Sequence, residues 1–472
     1  MERMGSNRMG GAEWTMLALL AGAGLRGLFL AHHPRVSGDA LVYADLAGNM
    51  LAHHIYGFTE NVIRPTLIRL PGYPAFLALC FALFGSANYL AVLWVQAAVD
   101  LLSCWLLGLL AGRLMGRRAG LAVLWLAALC PFTANYAAAA LTETLSIFCV
   151  VLAFFALERW IAAQYALQRT GLGGLGRACT LGAALSFAIL LRPDRALLAA
   201  AIVPAMLWTA FRQRKAAAIY RWLPPGMVIL IIALPLLLWG VRNWRVFHVL
   251  QPLAPRYAND PGEGVPFGFQ RWYRTWGVEF KSTVDVYWNY DGSALALKDL
   301  PPRAFDYPAQ RAETAAVYAI YNQDQASSPG VDQDFGRLAA ERVHNHPLRY
   351  YLLMPVAREA DMWLRPRTEL MRVPLDWWNL RAHPGASAFA IAYGLLNAGY
   401  LLLALGGLRR WKRQSWGPQP VLTAALLAFV ALRCLLLLTL DNSEPRYTLE
   451  CYPIVILLAG FVFARRQQRI SD

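Results

Sequence analysis

The stretch Arg69-Leu70-Pro71-Gly72-Tyr73-Pro74-Ala75-Phe76-Leu77-Ala78-Leu79-Cys80-Phe81-Ala82-Leu83-Phe84 decides how the chain is threaded. Two prolines and a glycine within Pro71–Pro74 fix a rigid turn, and proline is tolerated in the first turn of the helix that follows. The apolar run from Tyr73 to Phe84 is far shorter than the ~20 residues a helix needs to cross a bilayer. It is therefore expected to lie at the interface or to re-enter. On that reading the basic segments 1–13, 113–118, 159–177, 212–221 and 409–413 and the tail from Arg465 all fall on one side, as the positive-inside rule requires. A crossing at 73–84 would send the later basic loops to the wrong face.

Outward from this stretch, ten apolar runs have spanning or near-spanning length: Trp14 to Ala31, then about 89–112, 119–140, 143–161, 178–191, 195–211, 222–240, 386–408, 419–440 and 452–464. The first follows Arg3 and Arg8, lacks a small-x-small cleavage site, and reads as a retained helix. The composition agrees. The chain has 472 residues, 57% hydrophobic and 15% charged, with a mean hydropathy of +0.37. That is too apolar for a soluble protein, so an all-α polytopic membrane protein with about ten transmembrane helices is expected. The net charge of +15 lies largely in the short basic loops, so it does not imply a nucleic-acid partner. Only four of the 44 basic residues are lysine, an imbalance that a GC-rich genome produces without functional cause. The seven cysteines lie in or beside apolar runs and spell neither a disulfide framework nor a zinc knuckle.

Both termini are then cytoplasmic, and the segments 32–88 and 241–385 lie outside with short turns near 139–143, 192–195 and 441–450. This divides the chain into a transmembrane module at 1–240, an extracytoplasmic region at 241–385 and C-terminal helices at 386–472. Chemistry is sought on the outer side. Asp39, after Ser37-Gly38, opens a run with apolar positions at helical spacing, which fits an amphipathic helix at the membrane surface. A helix start suits Asp39 as an N-cap, and the same position holds it ionised, the state required of a base. Glu143 is a second acid at the outer end of the fourth helix. Arg192, Arg195 and Arg446 are cations at outer helix ends, where guanidinium forks suit phosphate, with Arg242 in reserve. Snorkelling to headgroups accounts well for Arg195 and less well for Arg192, which Pro193 aims. Inside the spans, Arg26, Asp100 and Arg433 are expected to face the bundle interior and pair.

The order of motifs resembles the family 39 type of C-fold glycosyltransferases, bacterial relatives of protein mannosyltransferases and of the lipid A aminoarabinose transferase. The motifs are Arg26 in the first helix, Gly38-Asp39 with Tyr43 and Ala47, then Arg69-Leu70-Pro71-Gly72-Tyr73-Pro74. Leu141-Thr142-Glu143, Leu191-Arg192-Pro193, Arg242-Asn243 and Glu444-Pro445-Arg446-Tyr447 continue the series, so it spans nearly the whole chain. Ala40 stands where many members carry a second acid. The resemblance implies transfer of a sugar, with inversion, from a polyprenyl-phosphate carrier to a lipid, glycan or protein acceptor at the outer face of the bacterial inner membrane. It implies catalytic roles for Asp39 and Glu143, donor-phosphate contacts at Arg192, Arg446 and Arg242, and substrate contacts at Tyr43, Arg69, Tyr73, Glu444 and Tyr447. A divalent metal ion at Asp39 or Glu143 is compatible with it. His32-His33 and His53-His54 do not make such a site, because adjacent histidines on a helix diverge too far to share an ion; an interfacial role is expected.

In 241–385, Trp272, Trp276, Trp288, Trp363, Trp377 and Trp378 suit the membrane interface better than a sugar platform. Arg349 to Pro355 and Val356 to Trp363 read as short amphipathic helices, and 255–335, with little periodicity and many turn formers, as a mobile lid. The competing readings are a lipid-linked glycan flippase, which predicts ionisable groups at mid-membrane, and a glycan polymerase or ligase, which does not require Asp39.

Overall fold

The computed structural model describes residues 11–166, 174–212, 218–413 and 419–464; the expected cytoplasmic charges at Arg3, Arg8, Arg169, Arg214, Lys215 and Arg465 lie outside these. The chain forms two units, one within Met1–Pro261, Gly399–Val430 and Leu449–Asp472, the other Gly262–Ala398 with Ala431–Thr448.

The first unit contains α1 (Gly11–His32), α2 (Asp39–His53), an antiparallel hairpin of β1 (Gly57–Thr59) and β2 (Ile63–Pro65), α3 (Gly72–Phe84), α4 (Tyr89–Met115), α5 (Arg117–Ala128), α6 (Pro131–Ala137), α7 (Glu143–Ala166), α8 (Leu175–Leu191), α9 (Ala196–Arg212) and α10 (Ala218–Phe247). Among the described residues, eight helices are long and apolar enough to cross a membrane. α5 and α6 make a ninth if read as one span. They are bent by 52° at a break ahead of Pro131, whose missing N–H and ring interrupt the helical ladder. The 17-residue α8 completes a one-to-one match with the ten runs. The chain is an all-α multi-pass membrane protein. α3, at 13 residues, extends about 20 Å at 1.5 Å per residue, well short of the ~30 Å hydrocarbon core.

Packing explains several small and charged residues. A Cβ on Gly120 would sit 2.8 Å from the Gly112 Cα, so glycine at this contact lets the α4 and α5 backbones touch, a device of membrane helix pairs. The expected mid-span pair forms. Arg26 donates to Asp100 Oδ2 from Nε at 2.8 Å and from Nη2 at 2.5 Å, and Nη1 donates to the carbonyls of Gly22 and Ala128. Five of the seven cysteines are buried, whereas Cys179 is exposed and Cys434 partly so.

In the second unit, the region read as a mobile lid of low periodicity is folded around an aromatic core. Phe269, on α11 (Phe267–Arg274), stacks on Tyr290 at 3.7 Å between ring centroids, and Trp272, Trp276, Tyr318 and Phe335 pack around them. Trp272 and Trp276 are fully buried, so they serve neither a platform nor an interface. The helices Pro308–Asp324 and Pro329–Asn345 supply Tyr318, Tyr321 and Phe335. Asp332 accepts the free amides of Gly268 and Phe269 at 3.0 and 2.9 Å, placing negative charge at the start of α11. Buried Arg342 donates to Thr275, Gln310 and the carbonyls of Arg303 and Ala304. The two amphipathic segments run on from Arg349–Leu353 into Met354–Leu364, with Leu348, Tyr351, Leu352, Leu353, Val356 and Leu364 exposed.

Candidate active site

Asp39 is the first residue of α2, but Gly38 takes the capping position and no side chain caps this helix. Asp39 therefore stands one residue inside the capping position expected for it. Its Oδ1 instead receives Arg69 Nη2 at 3.2 Å, with 29% and 27% of the two side chains exposed. Arg69 rides on a loop fastened at several points. The Tyr56 hydroxyl donates to the Arg69 and Leu70 carbonyls at 3.1 and 3.2 Å, and Asp260 accepts the Leu67 amide at 2.9 Å. Arg242, the reserve phosphate contact, directs Nη1 and Nη2 to the carbonyls of Thr66 and Tyr56, both at 2.8 Å. It acts here as a brace for the loop.

Glu143 opens α7 and is 2% exposed. Arg192 Nη1 lies 3.6 Å from its Oε1, and Arg192 Nε donates to Asp194 Oδ1 at 3.3 Å. Arg192 is extended after α8, and Pro193 begins a short 3-10 turn. Arg195, read as a snorkelling residue, is buried: it pairs with Asp194 at 2.7 Å and with buried Glu450. Headgroup snorkelling needs an exposed guanidinium, so this burial overturns that reading. Glu143, Arg192, Asp194, Arg195 and Glu450 thus alternate in sign along one continuous chain of ion pairs.

Backbone pairing brings the two acids to one end of this unit. The Arg35 amide donates to the Ala138 carbonyl at 2.9 Å, and the Ala140 amide to the Arg35 carbonyl at 3.1 Å, so the segments leading to Asp39 and Glu143 are joined. The Arg69 loop closes on the same place, because a Cβ at Gly72 would lie 2.6 Å from the Leu190 carbonyl carbon and oxygen, just before Arg192. Tyr43 and Tyr73 meet edge to face at 5.0 Å. The Tyr73 hydroxyl donates to Gln96 Oε1 at 2.8 Å, and Gln96 Nε2 donates to the Ala139 carbonyl at 2.7 Å. The Tyr43 hydroxyl lies in the field of all four charged groups: burial raises its pKa most, Arg69 and Arg192 oppose that, and Asp39 and Glu143 add to it. Asp39, Tyr43, Arg69, Tyr73, Glu143 and Arg192 therefore form one cluster.

Glu444, Arg446 and Tyr447 form a second group, on the second unit. The Tyr447 hydroxyl donates to Glu444 Oε1 at 2.6 Å, Arg446 Nε pairs with Glu444 Oε2, and the Arg446 guanidinium lies 5.7 Å from the Tyr447 ring centroid. Sequence reasoning missed Gln96, Asp194 and Glu450. Gln96 was detectable as an amide inside an apolar span, and Asp194 as an acid set between Arg192 and Arg195. Among the described residues no three His, Cys, Asp or Glu side chains gather closely enough to hold a metal ion. Asp39 and Glu143 each face an arginine, so this donor set does not fit a resident cation, and His32, His53 and His54 are exposed.

Residues 65–239, which hold Arg69, Tyr73, Glu143 and Arg192, match the family model described as dolichyl-phosphate-mannose-protein mannosyltransferase. No curated protein sequence matches the chain. Among solved structures, ArnT from Cupriavidus metallidurans in the apo state is 16% identical, covering 96% of this chain and 78% of that one, with a TM-score of 0.40. The archaeal oligosaccharyltransferase AglB from Archaeoglobus fulgidus is 12% identical over 96% of this chain and 50% of its own, with a TM-score of 0.50. Residues 65–239 are thus similar to that mannosyltransferase family, and the chain as a whole shares its fold with AglB.

Proposed function

We propose that the chain transfers a sugar from a polyprenyl-phosphate donor to a lipid, glycan or protein acceptor at the outer face of a bacterial inner membrane, inverting the anomeric centre. One observation carries this reading: two carboxylates, Asp39 and Glu143, each paired with an arginine, are brought to one end of the first unit by backbone pairing. The name of the matching family, and the dolichol-phosphate and inhibitory peptide named with AglB, support a lipid phosphate on the donor side.

Asp39, held as a carboxylate by Arg69, takes the proton of the acceptor hydroxyl. The acceptor oxygen bonds to the anomeric carbon from one face as the bond to the carrier phosphate breaks on the other, and the phosphate departs with the electron pair. Arg192 and Arg446 are assigned to that phosphate, whose developing charge they stabilise by fixed donors. Arg69 keeps 27% of its side chain exposed beside Asp39, so its guanidinium is open to a substrate oxygen. Glu143 orients the acceptor.

The test is Asp39→Asn in membranes supplied with a polyprenyl phosphate carrying a labelled hexose. Transfer is expected to fall by ~10²- to 10⁴-fold, the usual contribution of a positioned base, while native mass spectrometry still finds carrier lipid on the folded protein. Undiminished transfer by this variant would remove Asp39 from the chemistry and favour a polymerase or ligase.

A further inference from the structure

We infer that Arg367 and Arg433 are positioning residues for Arg446, gripping the backbone on either side of it so that its guanidinium is presented to the carrier phosphate; this rests on the role given to Arg446 above. Residues Pro445–Cys451 form a short 3-10 helix. Arg367 Nη1 donates to the Pro445 carbonyl at 2.8 Å, and its Nη2 reaches the Thr448 hydroxyl and, at 3.4 Å, the Met362 carbonyl. Thr448 Oγ1 itself donates to the Pro445 carbonyl at 2.9 Å. Arg433 Nη2 donates to the Tyr447 carbonyl at 2.8 Å. The carbonyls before and after Arg446 are thus each held by a guanidinium.

Burial separates the three arginines. Arg367 is 2% exposed and Arg433 1%, whereas the Arg446 side chain keeps 18% of its surface open. Taking a guanidinium out of solvent is costly, and these two direct charge-assisted bonds at a single turn, which fixes that turn far more firmly than neutral contacts would. The turn's leading end is held as well: the Ser443 hydroxyl donates to Asp361 at 2.7 Å, and its amide to Thr283 Oγ1 at 3.2 Å. On the held backbone, Glu444 pairs with Arg446 Nε and accepts the Tyr447 hydroxyl, so the side chains of this turn are linked to one another. Lysine cannot substitute at Arg367, because a point charge cannot reach three acceptors from one planar fork.

The test is a mutant cycle read by titration with polyprenyl monophosphate in nanodiscs and by donor KM and kcat. Arg446→Ala is expected to weaken carrier binding roughly 10- to 100-fold. Arg433→Lys and Thr448→Val are each expected to raise donor KM by about 3- to 10-fold with kcat within about twofold. In the Arg446→Ala background neither has a further effect on binding, because each acts through Arg446. Thr448→Val replaces a hydroxyl by a methyl of similar shape and carries the test if Arg433→Lys fails to fold. Additive losses, or no loss from either variant, would overturn the clamp while leaving the role of Arg446 standing. Unchanged carrier binding in Arg446→Ala alone would overturn both.

Discussion

Two of the arginine–aspartate pairs in the first unit, Arg26 with Asp100 and Arg69 with Asp39, differ in burial and in the donors they leave open. Arg26 and Asp100 are sealed, with side-chain exposures of 0% and 2%, and every nitrogen of Arg26 donates to the carboxylate, a carbonyl or the Cys104 sulfur. Arg69 and Asp39 stand at a helix start with more than a quarter of each side chain open, and Arg69 leaves Nε without a partner. A saturated guanidinium has nothing left to offer a ligand. The difference teaches that exposure, rather than charge alone, separates a pair open to a ligand, as proposed for Arg69 and Asp39, from one confined to structure.

The comparison breaks most readily at the sealed pair. Asp100→Leu leaves a buried, unmatched guanidinium and is expected to lower stability by ~3–5 kcal/mol, whereas the double variant Arg26→Leu/Asp100→Leu recovers most of that loss. Thermal unfolding in detergent measures both. Recovery in the double variant confines this pair to structure; a double variant that is stable but inactive would assign it a functional role that the sealed geometry does not suggest. Next in size is Gly72→Ala. Its added methyl meets the Leu190 backbone, where only main chain could move, so a cost of ~1–3 kcal/mol is expected. Transfer activity is expected to fall along with stability, since the loop bearing Arg69 is pushed from the end of α8.

The sealed pair was legible in the sequence and the open one only in part. Charges inside apolar spans have almost no alternative to each other, so Arg26, Asp100 and Arg433 were expected to pair; Arg26 and Asp100 do, and Arg433 donates to the Tyr447 carbonyl. The spans were largely legible, because hydrocarbon thickness imposes a length that the apolar runs display: eight helices among the described residues reach it, nine with the bent pair, and 73–84 does not. At the open pair, Asp39 offered both a cap and a base, and only coordinates show Gly38 at the capping position. The partner choices that build the cluster join residues far apart in the chain, Gln96 with Ala139 and Arg35 with Ala138, and short-range patterning holds no record of them. The aromatic core of the second unit was hidden for the same reason. Phe269, Tyr290, Tyr318 and Phe335 come from separate helices and turns, so none creates a periodic stripe that a window could detect.

The open pair gives a sharper and smaller test at Arg69. Arg69→Gln keeps a donor but removes the charge that faces Asp39. Partly exposed ion pairs contribute only ~0–1 kcal/mol, so the melting temperature is expected to move little. Transfer is expected to fall by roughly 10- to 100-fold, the loss of one charge-assisted contact in a transition state. A variant that melts far below the natural protein yet keeps full specific activity while folded would make Arg69 a second Arg26, and the distinction between the two pairs would fail.

The smallest expected effect concerns the proton on Tyr43, which reports how the open cluster balances its charges. Burial lifts this hydroxyl above its ordinary value of 10, with Asp39 and Glu143 adding to the rise and Arg69 and Arg192 opposing it. The sign follows from proton binding: past about pH 10 the unfolded chain has released a proton that the folded one keeps, so stability declines as pH rises there and is untouched below. Between about pH 7 and about pH 9 the hydroxyl stays neutral, and Tyr43→Phe is expected to leave the shape of the pH–rate profile unchanged. An alkaline fall in that window, present in the natural protein and absent from Tyr43→Phe, would mean that the two arginines outweigh burial at this position. The cluster would then be more cationic than its paired carboxylates allow, and phosphate binding would be assigned to Arg69 and Arg192 together, ahead of proton removal by Asp39.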